Sequence, residues 1–192
     1  GEVYLQTCDY QNAYDNLNKA LTIFSQVRNK EEILNVTYLL AKYWFNIGEA
    51  KELENAINQF EYYFMVEDSN SEKNDLNFNY LKLLLKLKDP ASSILNQEVS
   101  LLLDKSKKMS DINTYVDSII KIAEHLIKCK HFDKALTYLS DKDYIKFIQQ
   151  NVIFRAEREF LFGKIAYYTQ DENLKSPIEY FDSAYNLIED ES

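Results

Sequence analysis

The chain has 192 residues, of which 46% are hydrophobic and 28% charged, a composition typical of a folded domain and not of a disordered segment. It contains only three Gly and two Pro residues, which argues against all-β folds and against nucleotide-binding folds with glycine-lined loops. The net charge of −9, from 22 basic and 31 acidic residues, disfavours general nucleic-acid binding through a basic face.

Membrane insertion and export are not indicated by the sequence. No apolar run approaches the ~20 residues needed to cross a bilayer, and the N-terminus lacks the basic-then-apolar pattern of a signal peptide. Cys8 and Cys129 lie far apart, as is typical of free thiols in a reducing compartment. We therefore expect a cytoplasmic protein, with no membrane partner and no cofactor.

The first half of the chain has apolar residues at helical spacing, which predicts a series of helices. Gly48 suits the left-handed conformation that follows a helix C-terminus. Asp89-Pro90 stops a helix, because the residue before proline avoids helical geometry. The polar run 67–72 predicts a mobile loop. The predicted helices are 1–7, 11–27, 31–47, 52–66 and 75–88.

The second half continues the helical pattern. Ser110 is a predicted N-cap, and Lys128 and Lys130 favour the negative C-terminal end of the helix that follows it. Ser176, followed by Pro177 at a first helical position, strongly predicts a helix start. The predicted helices are 91–107, 111–129, 133–140, 144–169 and 176–189, with a break near 141–143.

A small residue or proline near the start of each second helix recurs at intervals of about 40 residues, longer than the ~34 of a standard tetratricopeptide repeat. These residues are Ala13, Ala56, Ser93, Ala135 and Pro177. Four positions later the residue is apolar in four of the five cases: Leu17, Phe60, Leu139 and Phe181, with Gln97 as the exception. This pattern, together with the stretch from Tyr10 to Ala20, resembles the tetratricopeptide repeat family.

The resemblance implies an all-α fold, a right-handed superhelical solenoid of about five antiparallel helical hairpins. It implies one repeat domain over residues 1–192. The chain lacks an initiator Met and the pattern begins inside a helix, so we expect a fragment of a longer array. The expected repeats are 1–28, 31–66, 75–107, 111–143 and 144–189.

In tetratricopeptide proteins the first helix of each hairpin lines a concave groove, and the resemblance places these residues there: Asn35, Tyr38, Lys42, Phe45, Asn46, Asp75, Phe78, Lys82, Leu85, Lys86, Asp117, Ile120, Glu124, Ile127, Lys128, Glu157, Phe160, Lys164, Tyr167 and Tyr168. Lysine recurs in this set. A row of lysines would attract an acidic peptide or a C-terminal carboxylate, with aromatic rings between them. The alternative is that lysine is simply common on exposed helices of this chain.

His125, Cys129 and His131 are the one candidate for catalysis. Residues four apart share a helical face and can chelate zinc, but a catalytic site needs three protein ligands and a structural site four. A Cys–His nucleophile pair would also need an orienting group and an oxyanion pocket. Ordinary packing between helices explains the three residues, so we predict no metal site and no enzyme activity.

Long, degenerate repeats of this kind resemble two bacterial groups. One is the peptide-pheromone receptors of Gram-positive bacteria, and the other, which we favour, is the sensor arrays of large transcriptional regulators and kinases. Both predict a protein- or peptide-binding module in signalling or scaffolding, whereas a plain structural spacer is a third interpretation. The last helix, 176–189, is apolar nearly all round, which predicts self-association through this end.

Overall fold

The computed structural model describes residues 1–6, 9–65, 71–88, 96–109 and 111–189. Within these ranges the protein is all-α, as predicted, with no strand and with no helix of the length and apolarity that a membrane span requires. The helices are α1 Glu2–Gln6, α2 Tyr10–Gln26, α3 Lys30–Ile47, α4 Ala50–Met65, α5 Glu72–Lys88, α6 Asn96–Lys108, α7 Ile112–Lys128, α8 Phe132–Leu139, α9 Lys142–Ile148, α10 Val152–Thr169 and α11 Pro177–Glu189.

One predicted helix is wrong. The segment 144–169 forms two helices, because α9 ends at Ile148 and α10 begins at Val152. Asn151 separates them: its side-chain oxygen accepts a hydrogen bond from the backbone N–H of Phe154 at 3.1 Å, which is an N-cap interaction. An asparagine whose side chain caps a new helix competes with continuation of the preceding one.

One type of backbone hydrogen bond, from an amide to the carbonyl five residues earlier, closes several of the helix ends. The amide of Asn29 donates to the carbonyl of Phe24 at 2.9 Å, and the amide of His131 donates to Leu126 at 2.8 Å, each spanning five residues. Glu49 makes the same bond to Trp44, after Gly48 at φ 92°, so the predicted role of Gly48 is confirmed. The equivalent bonds at the other helix ends are Asp9 to Tyr4 and Asp111 to Ser106.

Short polar side chains cap the N-terminal ends of several helices. Asp111 caps α7 by accepting from the amide of Thr114 at 2.9 Å, in place of the predicted Ser110, which lies outside the described residues. Ser176 is confirmed as a cap of α11. Its hydroxyl accepts from the amide of Glu179, and the Glu179 carboxylate accepts in return from the Ser176 amide at 2.9 Å, which forms a capping box.

The chain divides into two compact units, Gly1–Leu102 and Leu103–Ser192. In the first unit α2 packs on α1 and α3, and α3 packs on α4 and α5. The small residues Ala13 and Ala56 are buried, as the repeat pattern requires, while Ser93 lies outside the described residues. Tyr14 contacts the rings of Tyr43 and Trp44, each at a centroid distance of 5.3 Å, so aromatic side chains fill the space between α2 and α3.

In the second unit α7 packs on α8, α9 and α10, and α10 packs on α11. Ala135 is fully buried on α8. Gly163 allows the close approach of α10 and α11, because a Cβ at this position would lie 2.5 Å from the ring of Phe181. Phe181 therefore faces the helix that precedes it, as the repeat pattern predicted.

Candidate peptide-binding surfaces

Four predicted site residues of α3, Asn35, Tyr38, Lys42 and Phe45, follow one another at spacings of three or four and so share one side of the helix, and the fifth, Asn46, directly follows Phe45. Asn46 is exposed, whereas the other four are half-buried. Side chains of α5 contact this side at Asn35, Tyr38, Lys42 and Phe45. This side of α3 therefore packs against α5, and the two helices form one surface together.

Three lysine ammonium groups lie along the junction of α3 and α5. Lys73 donates to the side-chain oxygen of Asn35 at 3.3 Å. The Nζ atom of Lys42 lies 5.7 Å from the ring centroid of Tyr38 and 5.8 Å from that of Tyr80, so it lies beside both rings.

The third ammonium group is that of Lys88, which lies 4.6 Å from the ring centroid of Phe45. It also lies close to Gly48, at the C-terminal end of α3, where the helix dipole favours a positive charge. We name the α3/α5 surface by its seven residues: Asn35, Tyr38, Lys42, Phe45, Lys73, Tyr80 and Lys88.

The lysines that the sequence indicated on α5 are not the ones that reach α3. The Nζ atom of Lys82 lies 4.0 Å from the ring centroid of Phe78, and Phe78 stacks on Phe60 of α4 at 6.1 Å. Phe78 and Tyr80 are two residues apart and point about 200° away from one another around the helix. The structure therefore places Lys82 and Lys42 on opposite sides of α5.

Two predicted residues of α5 differ from expectation for the same reason. Phe78, expected on an open groove, is buried against α4. Lys86 follows Lys82 by one turn and shares its side of the helix, away from α3. Sequence reasoning missed Lys73, Tyr80 and Lys88, although their spacing of seven and eight residues marks one side of α5.

A second surface joins α7 and α10 in the other unit, and it is acidic. The Lys121 ammonium pairs with the Glu124 carboxylate at 3.6 Å. The Glu157 carboxylate of α10 keeps contact with water, but crowding by the protein removes part of its hydration and raises its pKa. Lys121 opposes this rise, and the negative charges of Asp117 and Glu124 add to it. We call these four residues of α7 and α10 the α7/α10 surface.

The remaining predicted site residues of this unit lie on α7 and α10. Lys128 is exposed at the end of α7. Lys164 lies over the ring of Phe160 at 4.5 Å, and Tyr167 and Tyr168 are both largely exposed. Tyr168 stacks on Phe132 of α8 at 5.9 Å. Ile120 and Ile127, expected on the groove, are buried instead.

The histidine and cysteine residues near the end of α7 are only partly brought together. The Sγ atom of Cys129 lies 3.5 Å from Nε2 of His125, whose side chain is buried. His131 occupies the N-cap position of α8 without a side-chain capping bond. In the part of the chain that the structure describes, no three His, Cys, Asp or Glu side chains are arranged to hold a metal ion.

Comparison with protein-family models, with curated proteins and with solved structures finds no match to this chain. The α3/α5 surface combines cations with aromatic rings, and the α7/α10 surface combines clustered carboxylates with one lysine.

Proposed function

We propose that this chain is a non-catalytic, tetratricopeptide-like solenoid whose α3/α5 surface binds an acidic segment of a protein or peptide. The repeated turn between packed helices supports the solenoid of helical hairpins. The observation that carries the binding proposal is the alternation of Lys73, Lys42 and Lys88 with aromatic side chains along one helix junction.

An acidic peptide fits the chemistry of this surface. Ammonium groups form charge-assisted hydrogen bonds with carboxylates, and these are stronger than bonds between neutral groups. Lys42 already rests against two rings, so less side-chain freedom is lost when a carboxylate reaches it. The rings of Tyr38 and Phe45 supply apolar contact area for the side chains between the acidic residues of the ligand.

The wider role we propose is that of a sensor or scaffold in a bacterial signalling or transcriptional regulator of the cytoplasm. The basis is the resemblance of the repeats to such arrays and the presence of only two cysteines, one of which is a free thiol at Cys129. A peptide-pheromone receptor is the nearest alternative. It would also bind a peptide, but a short secreted one and not a segment of a larger partner.

The binding proposal is tested with a fluorescent peptide that alternates Glu and Leu, titrated with the chain and followed by anisotropy. The test variant carries Lys42→Gln, Lys73→Gln and Lys88→Gln together, which removes all three ammonium groups. We expect affinity to fall at least ~10-fold, a loss of about 1.4 kcal/mol. Binding should also weaken with added salt, because the contacts are between charges.

The matched control removes the same charge from exposed lysines elsewhere: Lys19→Gln, Lys51→Gln and Lys134→Gln. We expect this control to bind the peptide like the unmodified chain. If it loses affinity to the same extent, the peptide responds to net charge and the α3/α5 surface is not its site. A Lys-Leu peptide that binds as tightly as the Glu-Leu peptide would also contradict the proposal.

A further inference from the structure

A continuous set of large apolar side chains is exposed on the last two helices. On α10 the exposed fractions are 65% for Ile153, 45% for Phe160 and 65% for Tyr167, and on α11 they are 70% for Ile178 and 63% for Tyr185. Residues seven apart share one side of a helix, so each helix carries a single stripe. Soluble monomers rarely expose contiguous apolar patches larger than a few hundred Å² without a binding role.

The two stripes border the same junction. Phe160 of the first stripe contacts Phe181 at a centroid distance of 5.6 Å, and Phe181 lies within one turn of both Ile178 and Tyr185. The opposite side of the same helix pair is closed, since Phe162 stacks on Tyr180 and both are buried. We call the exposed side the α10/α11 face.

The two helices present the same pattern with opposite charge. On α10 the order is Phe160, Lys164 four positions later, and Tyr167 three positions after that. On α11 it is Ile178, Asp182 and Tyr185 at the same spacing. Within the described residues neither Lys164 nor Asp182 has an ion-pair partner. A surface with this pattern is complementary to itself when turned by a two-fold rotation.

We propose that a second copy of this chain covers the α10/α11 face, with α10 of each copy against α11 of the other. Each copy then places its Lys164 opposite Asp182 of its neighbour, and the apolar stripes meet between these pairs. The outer side of α2 is unsuited to cover this face, because its exposed residues are polar except for Ile23: Gln11, Asn12, Asp15, Asn16, Lys19, Thr22, Ser25 and Gln26. Because both copies use the same face, the proposed contact is symmetric and does not propagate into a filament.

The first experiment measures the mass of the 192-residue chain by sedimentation equilibrium over a range of concentrations. We expect a monomer–dimer equilibrium. The double variant Tyr167→Asp/Ile178→Asp should be monomeric, because it places charges in the apolar contact. The control Ile23→Asp changes a residue of α2 that is also largely exposed, and this variant should dimerise like the unmodified chain. Circular dichroism confirms that each variant is folded.

The second experiment tests the two-fold geometry by charge exchange. Lys164→Asp alone and Asp182→Lys alone should each weaken dimerisation about 10-fold or more, because like charges then face one another. Mixing these two variants restores opposite charges at both contacts, so the mixture should form heterodimers at the affinity of the unmodified chain. The double variant Lys164→Asp/Asp182→Lys should also recover dimerisation.

Three results would overturn this proposal. The first is a strict monomer up to ~1 mM, near the weak limit of specific association. The second is loss of the dimer in Ile23→Asp, which would indicate head-to-tail stacking. The third is a mixture of the two charge variants that does not associate. Because Lys42, Lys73 and Lys88 lie outside this face, the outcome of the peptide-binding test does not depend on any of these three results.

Discussion

The α3/α5 surface and the α7/α10 surface are both junctions between long helices that are not adjacent in sequence, yet their chemistry is opposite. The first places lysine ammonium groups over aromatic rings, whereas the second gathers three carboxylates around one lysine. A net charge of −9 indicates neither arrangement. The recognition chemistry of a helical array is therefore a local property of each junction between helices.

The two units also differ in what holds their junctions together. In the first unit a buried ring, Tyr80, lies between α3 and α5. In the second, polar contacts join the start of α9 to α7 and to α6: the hydroxyl of Tyr115 in α7 donates to Asp141 at 2.8 Å, and Lys107 in α6 pairs with Asp143 at 2.6 Å. We therefore expect the second unit to be more sensitive to pH. Trp44, the only tryptophan, lies in the first unit and reports on it selectively by fluorescence.

The largest effect is expected from Tyr80→Ala. Removing a fully buried ring leaves a cavity and should cost about 3–5 kcal/mol of unfolding free energy. Urea unfolding followed by Trp44 fluorescence measures the loss. The control Tyr62→Ala removes an exposed ring and should change stability by less than ~0.5 kcal/mol. Equal effects of the two substitutions would mean that Tyr80 does not anchor the α3/α5 junction.

A smaller loss, about 2–4 kcal/mol, is expected from Asp141→Ala. The substitution removes the N-cap of α9, worth ~1 kcal/mol, and leaves the partly buried Tyr115 hydroxyl without its acceptor, a further ~1–3 kcal/mol. The control Asp111→Ala removes a cap alone and should cost ~1 kcal/mol. Unfolding followed by circular dichroism should shift more than unfolding followed by Trp44. Identical shifts in both signals would show that the units unfold together.

The effect of Asp141 also has a defined pH dependence. Burial by itself would raise the pKa of Asp141, but hydrogen bonds from the Tyr144 amide and the Tyr115 hydroxyl, together with Lys107, hold it below its ordinary value. A lowered carboxyl pKa stabilises the folded state above the unfolded pKa of about 3.9, and this contribution is lost as pH falls from there through the lower pKa of the folded state. The stability difference between the unmodified chain and Asp141→Ala should therefore narrow in acid.

The smallest effect on stability is expected from Glu157→Gln, which should stabilise the protein, whereas the two preceding substitutions destabilise it. Because the pKa of Glu157 is raised, the ionised group destabilises the folded state at neutral pH. The substitution should raise Tm at pH 7 by about 1–2 °C, since screened charges contribute under ~1 kcal/mol. The gain should vanish below about pH 4, where the carboxyl group is protonated. Glu54→Gln, on an exposed side of α4, is the control, and an equal gain there would remove the special role of the α7/α10 surface.

The parts of the structure that were predicted correctly depend on neighbouring residues. Gly48 ends a helix because it adopts a left-handed backbone conformation, and Ser176 and Pro177 begin one because cap geometry needs only three or four residues. The burial of Ala13, Ala56 and Ala135 followed from the repeat pattern in the same way. The break at Asn151 was missed, because an apolar pattern continues through it and only the side-chain cap reveals it.

By itself the sequence determined that the chain is helical, where most helices begin and end, and which small residues are buried, because turn geometry and amphipathic spacing act over a few residues. Only the tertiary structure decided which lysines meet which rings. The rotation of α5 about its own axis turns Lys73 and Lys88 toward α3 and Lys82 toward α4. That rotation depends on packing among three helices, and residues two apart differ by about 200° in direction, so a small change of register exchanges one surface for another.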